Sequence, residues 1–205
     1  MQLIPTEQEV IELLKQTGAL RYGHFEYPNG LHSDMYLQPA LAMRHHETAK
    51  MLSVALSRKI RANSEIRAMI PELSIVAPAT GGLPVAYGMC EALRAHQVYW
   101  AESAGHEDQL RFRPHLEPGA GEKVLMVDDV LRTGKKLTEL KAMIELFGAQ
   151  VVGLAVLVYE PNPETKSFGS LPFFYLTKLE ARYYGDQDAA QTSDRIEGPA
   201  ERVWI

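Results

Sequence analysis

Apolar residues recur along the chain first with a helical period and then in short, nearly continuous runs. Val10, Ile11 and Leu14 fall at helical intervals, Thr6 and Glu9 have the spacing of a capping box, and Gly18 ends the pattern, so a first helix is expected. Residues 22–38 lose that period. Aromatics there mix with Pro28, Asn29, Gly30 and Ser33, the texture of a short extended or looped region. Helical spacing returns over residues 47–61, with Leu52, Ala55, Leu56 and Ile60 on one face and Lys50, Arg58 and Arg61 elsewhere. After Pro71 an apolar run, a turn and an amphipathic helix follow one another repeatedly. The pattern predicts strands over 74–77, 97–101, 123–127 and 151–159 and helices over 82–95 and 138–147. Residues 161–172 read as a loop, 173–176 as an added edge strand, and 185–202 as a polar tail on the surface.

Alternation of strands and helices, with strands apolar almost throughout such as Val124 to Val127, predicts an α/β fold with a parallel sheet covered on both faces. In such sheets ligands gather beyond the carboxyl ends of the strands, which directs attention to residues 78–82, 102–114 and 128–136.

Composition narrows the class. The 205 residues are 46% hydrophobic and 23% charged, which suits one packed domain over 1–205 rather than a disordered chain. Twenty-one basic against 26 acidic residues give a net charge of −5, so no bulk positive field favours nucleic acid. The single cysteine, Cys90, excludes a disulfide framework and a cysteine zinc cluster, and no stretch approaches the ~20 apolar residues of a membrane-spanning helix. A cytoplasmic protein with no membrane partner is the expectation.

The strongest local signal is the run from Val127 through Asp128, Asp129, Val130, Leu131, Arg132, Thr133, Gly134 and Lys135 to Lys136. A buried strand ends in two carboxylates and a short turn enters a helix. Backbone N–H groups at that helix start can cradle a phosphate, helped by the Thr133 hydroxyl and the neighbouring cations. Asp128 and Asp129 can accept from sugar hydroxyls or help place a hydrated cation. A phosphorylated sugar satisfies both halves; the alternative is a solvated strand end that caps its own helix. A second strand-to-helix turn, Pro78, Ala79, Thr80, Gly81 and Gly82, permits close backbone approach to a second anion. A P-loop is excluded because Asp129 and Lys136 stand where it needs Gly and Ser or Thr. The Gly119-Ala120-Gly121 run fails as a dinucleotide fingerprint, since it precedes a strand and Val124 occupies the third glycine position. A phosphoacceptor receiver domain would need further strands after Tyr159 and Glu160 that the tail does not supply. His45 and His46 read as solvated residues before a helix and Cys90 as a small core residue. Trp204 seals the core or a subunit contact, or touches ligand.

These residues also carry a resemblance. Residues 124–137 resemble the phosphoribosyl pyrophosphate (PRPP) signature of type I phosphoribosyltransferases, and 77–83 resemble their pyrophosphate loop. The run Gly18-Ala19-Leu20, then Gly23-His24-Phe25, then 29–36, with Ala101-Glu102 and Pro118-Gly119, is similar to the orotate branch of that family, in consistent order over about 8–180. The resemblance implies a central parallel sheet forming a PRPP-binding core over 46–180. It also implies a small hood mainly over 18–40, with the Phe173 region as a further candidate, and a polar tail over 185–205. It implies phosphoribosyl transfer from PRPP to orotate in pyrimidine biosynthesis by a cytoplasmic homodimer. Magnesium would arrive bound with PRPP, without a direct protein metal site. By position, Asp128 and Asp129 are the ribose carboxylates, and Leu131, Arg132, Thr133, Gly134, Lys135 and Lys136 hold the 5′-phosphate. Thr80, Gly81 and Gly82 meet the pyrophosphate, and Phe25, Met35, Tyr36 and Leu37 lie near the base. The family's closing loop normally carries Lys and Arg; here residues 103–109 hold no Lys, with Glu107 near its expected place, and Arg111 and Arg113 either supply that charge or are solvated. Pro28 stands where some members carry a base-contacting Lys. Two other readings use the same cradle: a non-catalytic PRPP- or nucleotide-binding protein, and transfer to a purine or another base.

Overall fold

The computed structural model describes residues 5–104, 109–185 and 199–203. Helix α1 (Glu7–Gln16) begins on the capping box: the Glu9 amide donates to the Thr6 hydroxyl at 3.2 Å and the Thr6 amide to the Glu9 carboxylate at 2.7 Å. Val10 and Leu14 form its buried face. The predicted extended region is a hairpin of β1 (Leu20–Glu26) and β2 (His32–Leu37). Then follow α2 (Ala40–Met43), α3 (His46–Ala62), α4 (Ser64–Met69), β3 (Ser74–Pro78), α5 (Gly82–Leu93), β4 (Gln97–Ala104), β5 (Gln109–Phe112) and β6 (Lys123–Leu131). The chain closes with α6 (Lys135–Leu146), β7 (Gln150–Tyr159), β8 (Phe173–Lys178), β9 (Tyr183–Tyr184) and β10 (Glu201–Arg202).

The central sheet has the order β5-β4-β3-β6-β7-β8, parallel except for the antiparallel edge pair β4 and β5. The period of two along each strand divides its apolar residues between two cores. Ile75, Ala77, Leu125, Val127, Ala155 and Leu157 join Leu52, Leu56, Val85 and Met89 of α3 and α5 on one face. Val76, Val124, Met126, Leu154 and Val156 meet Leu137, Leu140 and Ile144 of α6 on the other. Each such fully buried Leu, Ile or Val contributes about 1.5–3 kcal/mol relative to exposure. Helices α3 and α5 pack closely enough that a Cβ at Gly88 would collide with Ser53 Oγ.

A second, four-stranded sheet of order β10-β1-β2-β9 forms the hood. Two expectations are corrected here. The Phe173 region belongs to the central sheet as the edge strand β8 rather than to the hood. The tail is not simply a surface wrap either: Glu201 and Arg202 pair in parallel with Phe25 and Glu26, and Val203 packs with Phe25 and Tyr27. The Glu201 carboxylate accepts from Arg21 at 2.8 Å across this junction.

Candidate functional site

In the central sheet, β3 has β4 on one side and β6 on the other, and successive connections leave it in opposite directions. A crevice opens at that switch point beyond the carboxyl ends of β3 and β6. The turn after β3 holds Thr80, Gly81 and Gly82. The last part of β6 holds Asp128 and Asp129, since the strand continues to Leu131 rather than stopping at Val127. The two segments touch. A Cβ on Gly81 would lie 2.9 Å from Asp129 Oδ2, and one on Gly82 would lie 3.1 Å from Asp128 Oδ1 and 3.0 Å from the Ala77 Cβ. Only glycines let the turn come this close to the acidic pair.

The Asp129 amide donates to Asp128 Oδ1 at 2.9 Å and the Val130 amide to Asp129 Oδ1 at 2.8 Å, which fixes both carboxylates in place. Burial pushes the Asp128 carboxyl well above its ordinary range, and the neighbouring Asp129 charge adds to the rise. Burial also raises Asp129, against hydrogen bonds that pull the other way. The pair therefore invites either a proton or a cation.

Beyond β6 the chain turns through Gly134, whose φ of 74° is the left-handed conformation that favours glycine, and enters α6. Its first turn carries Lys135 and Lys136 and no acid, the reverse of what the positive helix end prefers. An anion seated on the loop would remove that conflict. Lys136 reaches across toward Ser103 Oγ at 3.4 Å. Thr80, Gly81, Asp128, Asp129 and Lys136 line one cavity of about 910 Å³, joined by Arg113. Leu131 is not among the residues lining it, its side chain being buried in the core.

Several sequence expectations are corrected by the geometry. Arg132 turns away from that cavity: its Nε and a terminal nitrogen donate to the two oxygens of Glu160 at 3.1 and 3.0 Å. Burial works against the guanidinium charge, yet Glu160 and Tyr183 raise its pKa overall. Phe25, Met35 and Leu37 are at most 3% exposed, Met35 and Leu37 packing into the core shared with α3 and α5 and Phe25 into a small hood cluster with Tyr27 and Val203, because alternate hairpin positions point inward. Tyr36 is half-buried and rests on Phe25 with ring centres 5.6 Å apart. None of these four lines a described cavity near the acidic pair. The hood residues that do line one are Tyr27, Pro28, Asn29 and Leu31 around the hairpin turn and Tyr183 of β9, whose ring lies 6.0 Å from that of Tyr27; with Arg132 and Thr133 they enclose a space of about 520 Å³. The sequence signal for the turn residues was the cluster of Pro28, Asn29 and Gly30 after an aromatic run.

The two arginine candidates part company. Arg111 is exposed on β5 and is not among the residues lining the larger cavity. Arg113 does line it, donating from two nitrogens to Glu102 Oε2 at 2.9 Å each, while Trp100 donates to the other oxygen at 3.1 Å. Arg113 holds the Glu102 carboxyl below its usual range. Gly105, His106, Glu107 and Asp108 of the expected closing loop lie outside the described residues, as does Trp204. His45 and His46 are exposed, and Cys90 is half-buried against the core.

Residues 43–169 match the phosphoribosyl transferase domain. The orotate phosphoribosyltransferase of Carboxydothermus hydrogenoformans is 34% identical over 86% of this chain and 87% of that protein. That of Wolinella succinogenes is 31% identical over 86% and 88%. Among solved structures, orotate phosphoribosyltransferase from Aeropyrum pernix superposes with a TM-score of 0.65 at 20% identity, covering 83% of this chain and 93% of that one, which supports the fold. A shared domain over most of the chain, and relatives matched along nearly their whole length, mean that the chain belongs to the phosphoribosyltransferase family.

Proposed function

We propose that the protein transfers a phosphoribosyl group from PRPP to orotate, giving orotidine 5′-monophosphate and pyrophosphate in pyrimidine nucleotide biosynthesis. The observation that carries the reading is the contact of the Gly81 turn with the Asp128 and Asp129 pair across the β3/β6 switch point. The acceptor follows from the names of the relatives. The base nitrogen's lone pair forms a bond to C1′ as the C1′–O bond to pyrophosphate breaks, the electron pair leaves with pyrophosphate, and the base nitrogen gives up its proton. Positive charge develops on the ribose in that step. The fixed carboxylates of Asp128 and Asp129 face it without needing to reorient, and the α6 start with Lys136 holds the 5′-phosphate. Arg113 lies where it can meet the departing pyrophosphate. The base occupies the cavity beneath the hairpin turn, against Tyr27 and Leu31.

Magnesium fits this donor set. Among the described residues no cluster of three or more metal-binding side chains exists, while two carboxylates raised by burial suit a cation already held by substrate phosphates. Bound with PRPP, magnesium would supply compensation for the charge accumulating on the leaving group. We assign the reaction to a homodimer in the cytoplasm, following the resemblance to the orotate branch; no helix among the described residues is long and apolar enough to cross a membrane.

Pyrophosphate release from PRPP and magnesium, measured across a panel of bases, tests the proposal: release should depend on orotate. PRPP with magnesium should also raise the melting temperature, by about 2.7 kcal/mol of stabilisation at a hundred times Kd. No shift at millimolar PRPP and no release with any base would defeat it.

A further inference from the structure

The Arg132 side chain turns away from the phosphate-binding loop, and the groups assigned to phosphoribosyl transfer do not include it. Its backbone is braced by hydrogen bonds. The Glu160 amide donates to the Leu131 carbonyl at 2.9 Å, Thr165 Oγ1 to the Arg132 carbonyl at 2.5 Å, and the Lys166 amide to the Thr133 carbonyl at 2.9 Å. Glu160 follows β7, is 1% exposed, and takes Nε and Nη2 of the guanidinium on its two oxygens at 3.1 and 3.0 Å. Tyr183 of the hood donates to Oε1 of the same carboxylate, so one hydrogen-bonded chain runs from the hood through Glu160 to Arg132. The plane of the guanidinium is thereby fixed. A guanidinium has five N–H groups, and this pairing uses one on Nε and one on Nη2. The others, on Nη1 and the far side of Nη2, have no hydrogen-bond partner among the described residues. None of these nitrogens is both buried and unpartnered, the side chain is 22% exposed, and the residue lines the cavity beneath the hairpin turn. The unused edge is open to a ligand.

Such an edge is complementary to a second carboxylate, which can accept two parallel N–H bonds as Glu160 does on the neighbouring edge. Orotate carries its carboxylate on the ring carbon next to the nitrogen that receives the ribose. That group must therefore lie toward the phosphoribosyl end of the bound base. Arg132 and Thr133 stand at that end, on the loop that runs from the ribose carboxylates into the phosphate-binding start of α6. Tyr27, Pro28, Leu31 and Tyr183 of the hood are left for the ring. Glu164 lines the cavity too, but it is exposed and its charge is screened by solvent. What Glu160 contributes is direction, since an unpaired arginine on this loop would be drawn to the more highly charged 5′-phosphate. We propose that Arg132 determines acceptor specificity, its open edge receiving the carboxylate of orotate, and that Glu160, tied to the hood by Tyr183, is the positioning residue that turns the guanidinium from the phosphate toward the base. This rests on the phosphoribosyltransferase reading of the site.

Orotidine 5′-monophosphate and uridine 5′-monophosphate differ only in the base carboxylate, so the ratio of their dissociation constants, from calorimetric titration, reads the contact without requiring turnover. Wild-type protein should bind the carboxylated nucleotide at least about tenfold tighter, the scale of a charge-assisted hydrogen-bonded pair. Arg132→Gln should bring the two affinities within about threefold of each other by removing that pair. Because this variant leaves the buried Glu160 charge without a partner, Arg132→Gln combined with Glu160→Gln serves where the single change does not fold, with the same expected ratio. Glu160→Asp keeps the charge but withdraws it by one methylene. Affinity for orotidine 5′-monophosphate should then fall about fivefold while that for uridine 5′-monophosphate stays within about twofold, whereas a merely structural role would weaken both alike. Equal wild-type affinities, or a preference that persists once Arg132 is replaced, overturn the proposal while the phosphoribosyltransferase reading stands. An unmoved ratio in folded Glu160→Asp protein overturns the assignment of Glu160. Failure of both nucleotides to bind, together with no pyrophosphate release on any base, would instead strike that reading and this proposal with it.

Discussion

Replacing Asp129 by Asn separates the charge of the acidic pair from its shape. The side chain keeps its volume against Gly81, and its Oδ1 can still accept from the Val130 amide, now 2.8 Å away. What goes is one of two negative charges held side by side in a half-buried crevice. Two like charges within hydrogen-bond reach of each other repel by about 4 kcal/mol at an effective dielectric of ~20, and solvent reaching the site leaves about 1 kcal/mol of that to be relieved. Burial raises the Asp129 pKa in the folded protein above its value in the unfolded chain. Its contribution to stability is therefore fully present at low pH and is lost as the pH rises through the folded value. Near neutral pH the charge crowded onto the pair works against folding, and the variant should escape part of that cost. A gain of about 1 kcal/mol corresponds to a melting temperature raised by ~2–4 °C in a chain of this size. The gain should shrink as the pH falls and the native carboxyl becomes neutral too. Turnover should move the opposite way, falling about a hundredfold or more, the scale of losing one preorganised electrostatic contact to a developing charge. Calorimetric melting between pH 4 and 8, with steady-state pyrophosphate release on the same samples, measures both effects. A variant less stable than wild type at pH 7, or a difference that grows on acidification, would refute the repulsion argument. Full turnover in a folded variant would show that Asp129 does not face the reacting ribose.

Two further substitutions test other parts of the framework. Arg113→Ala should lower kcat at least tenfold with a smaller change in KM for PRPP, because charge on the leaving pyrophosphate builds up mainly in the transition state. Arg111→Ala, outside the cavity, should stay within about twofold of wild type in the same steady-state assay. Gly88→Ala places a methyl group onto Ser53 at the α3–α5 contact and should cost about 1–3 kcal/mol in denaturant unfolding, since a well-packed core yields poorly to added volume. Adding Ser53→Gly to that variant should restore most of the loss, and no restoration would place the strain elsewhere.

The central sheet was legible because its signals are local. Apolar runs such as Val124 to Val127 can be buried only between two layers, and the capping box at Thr6 records the start of α1 in four residues. Strand ends were less legible. Strand β6 keeps its ladder to β7 through Asp128, Val130 and Leu131, so hydrogen bonding carries it past the point where hydrophobicity stops. The hood escaped local reasoning for a different reason. Its sheet joins Phe25 to Glu201 and His32 to Tyr184, partners separated by most of the chain, and no short period in the sequence records a pairing of that kind. The Phe173 region, equally aromatic, went to the central sheet because Leu154, Ala155 and Val156 offered it a buried parallel partner.

Within the site, residue type and position proved to be separable kinds of information. Asp128, Asp129, Gly81 and Gly82 could be picked out because strand-to-turn junctions fix where a side chain of that sort must point, and the close approach of Gly81 to Asp129 follows from having no Cβ there. None of the four residues expected near the base lines a described cavity, although the hairpin that carries them contributes its turn to one. In a hairpin, a shift of one position exchanges the inward face for the outward one, so Phe25 and Met35 went to the core while the turn at Tyr27, Pro28 and Leu31 kept contact with the cavity. Arg132 shows the same limit in a sharper form. Its place among Leu131, Thr133 and Gly134 predicted a cation for phosphate, but the direction of its side chain depends on Glu160, twenty-eight residues later at the end of another strand. A buried carboxylate draws the nearest guanidinium because leaving either one alone costs several kcal/mol. That pairing puts Arg132 in the lining of the cavity beneath the hairpin turn, and leaves backbone amides and Lys136 as the groups proposed for the 5′-phosphate.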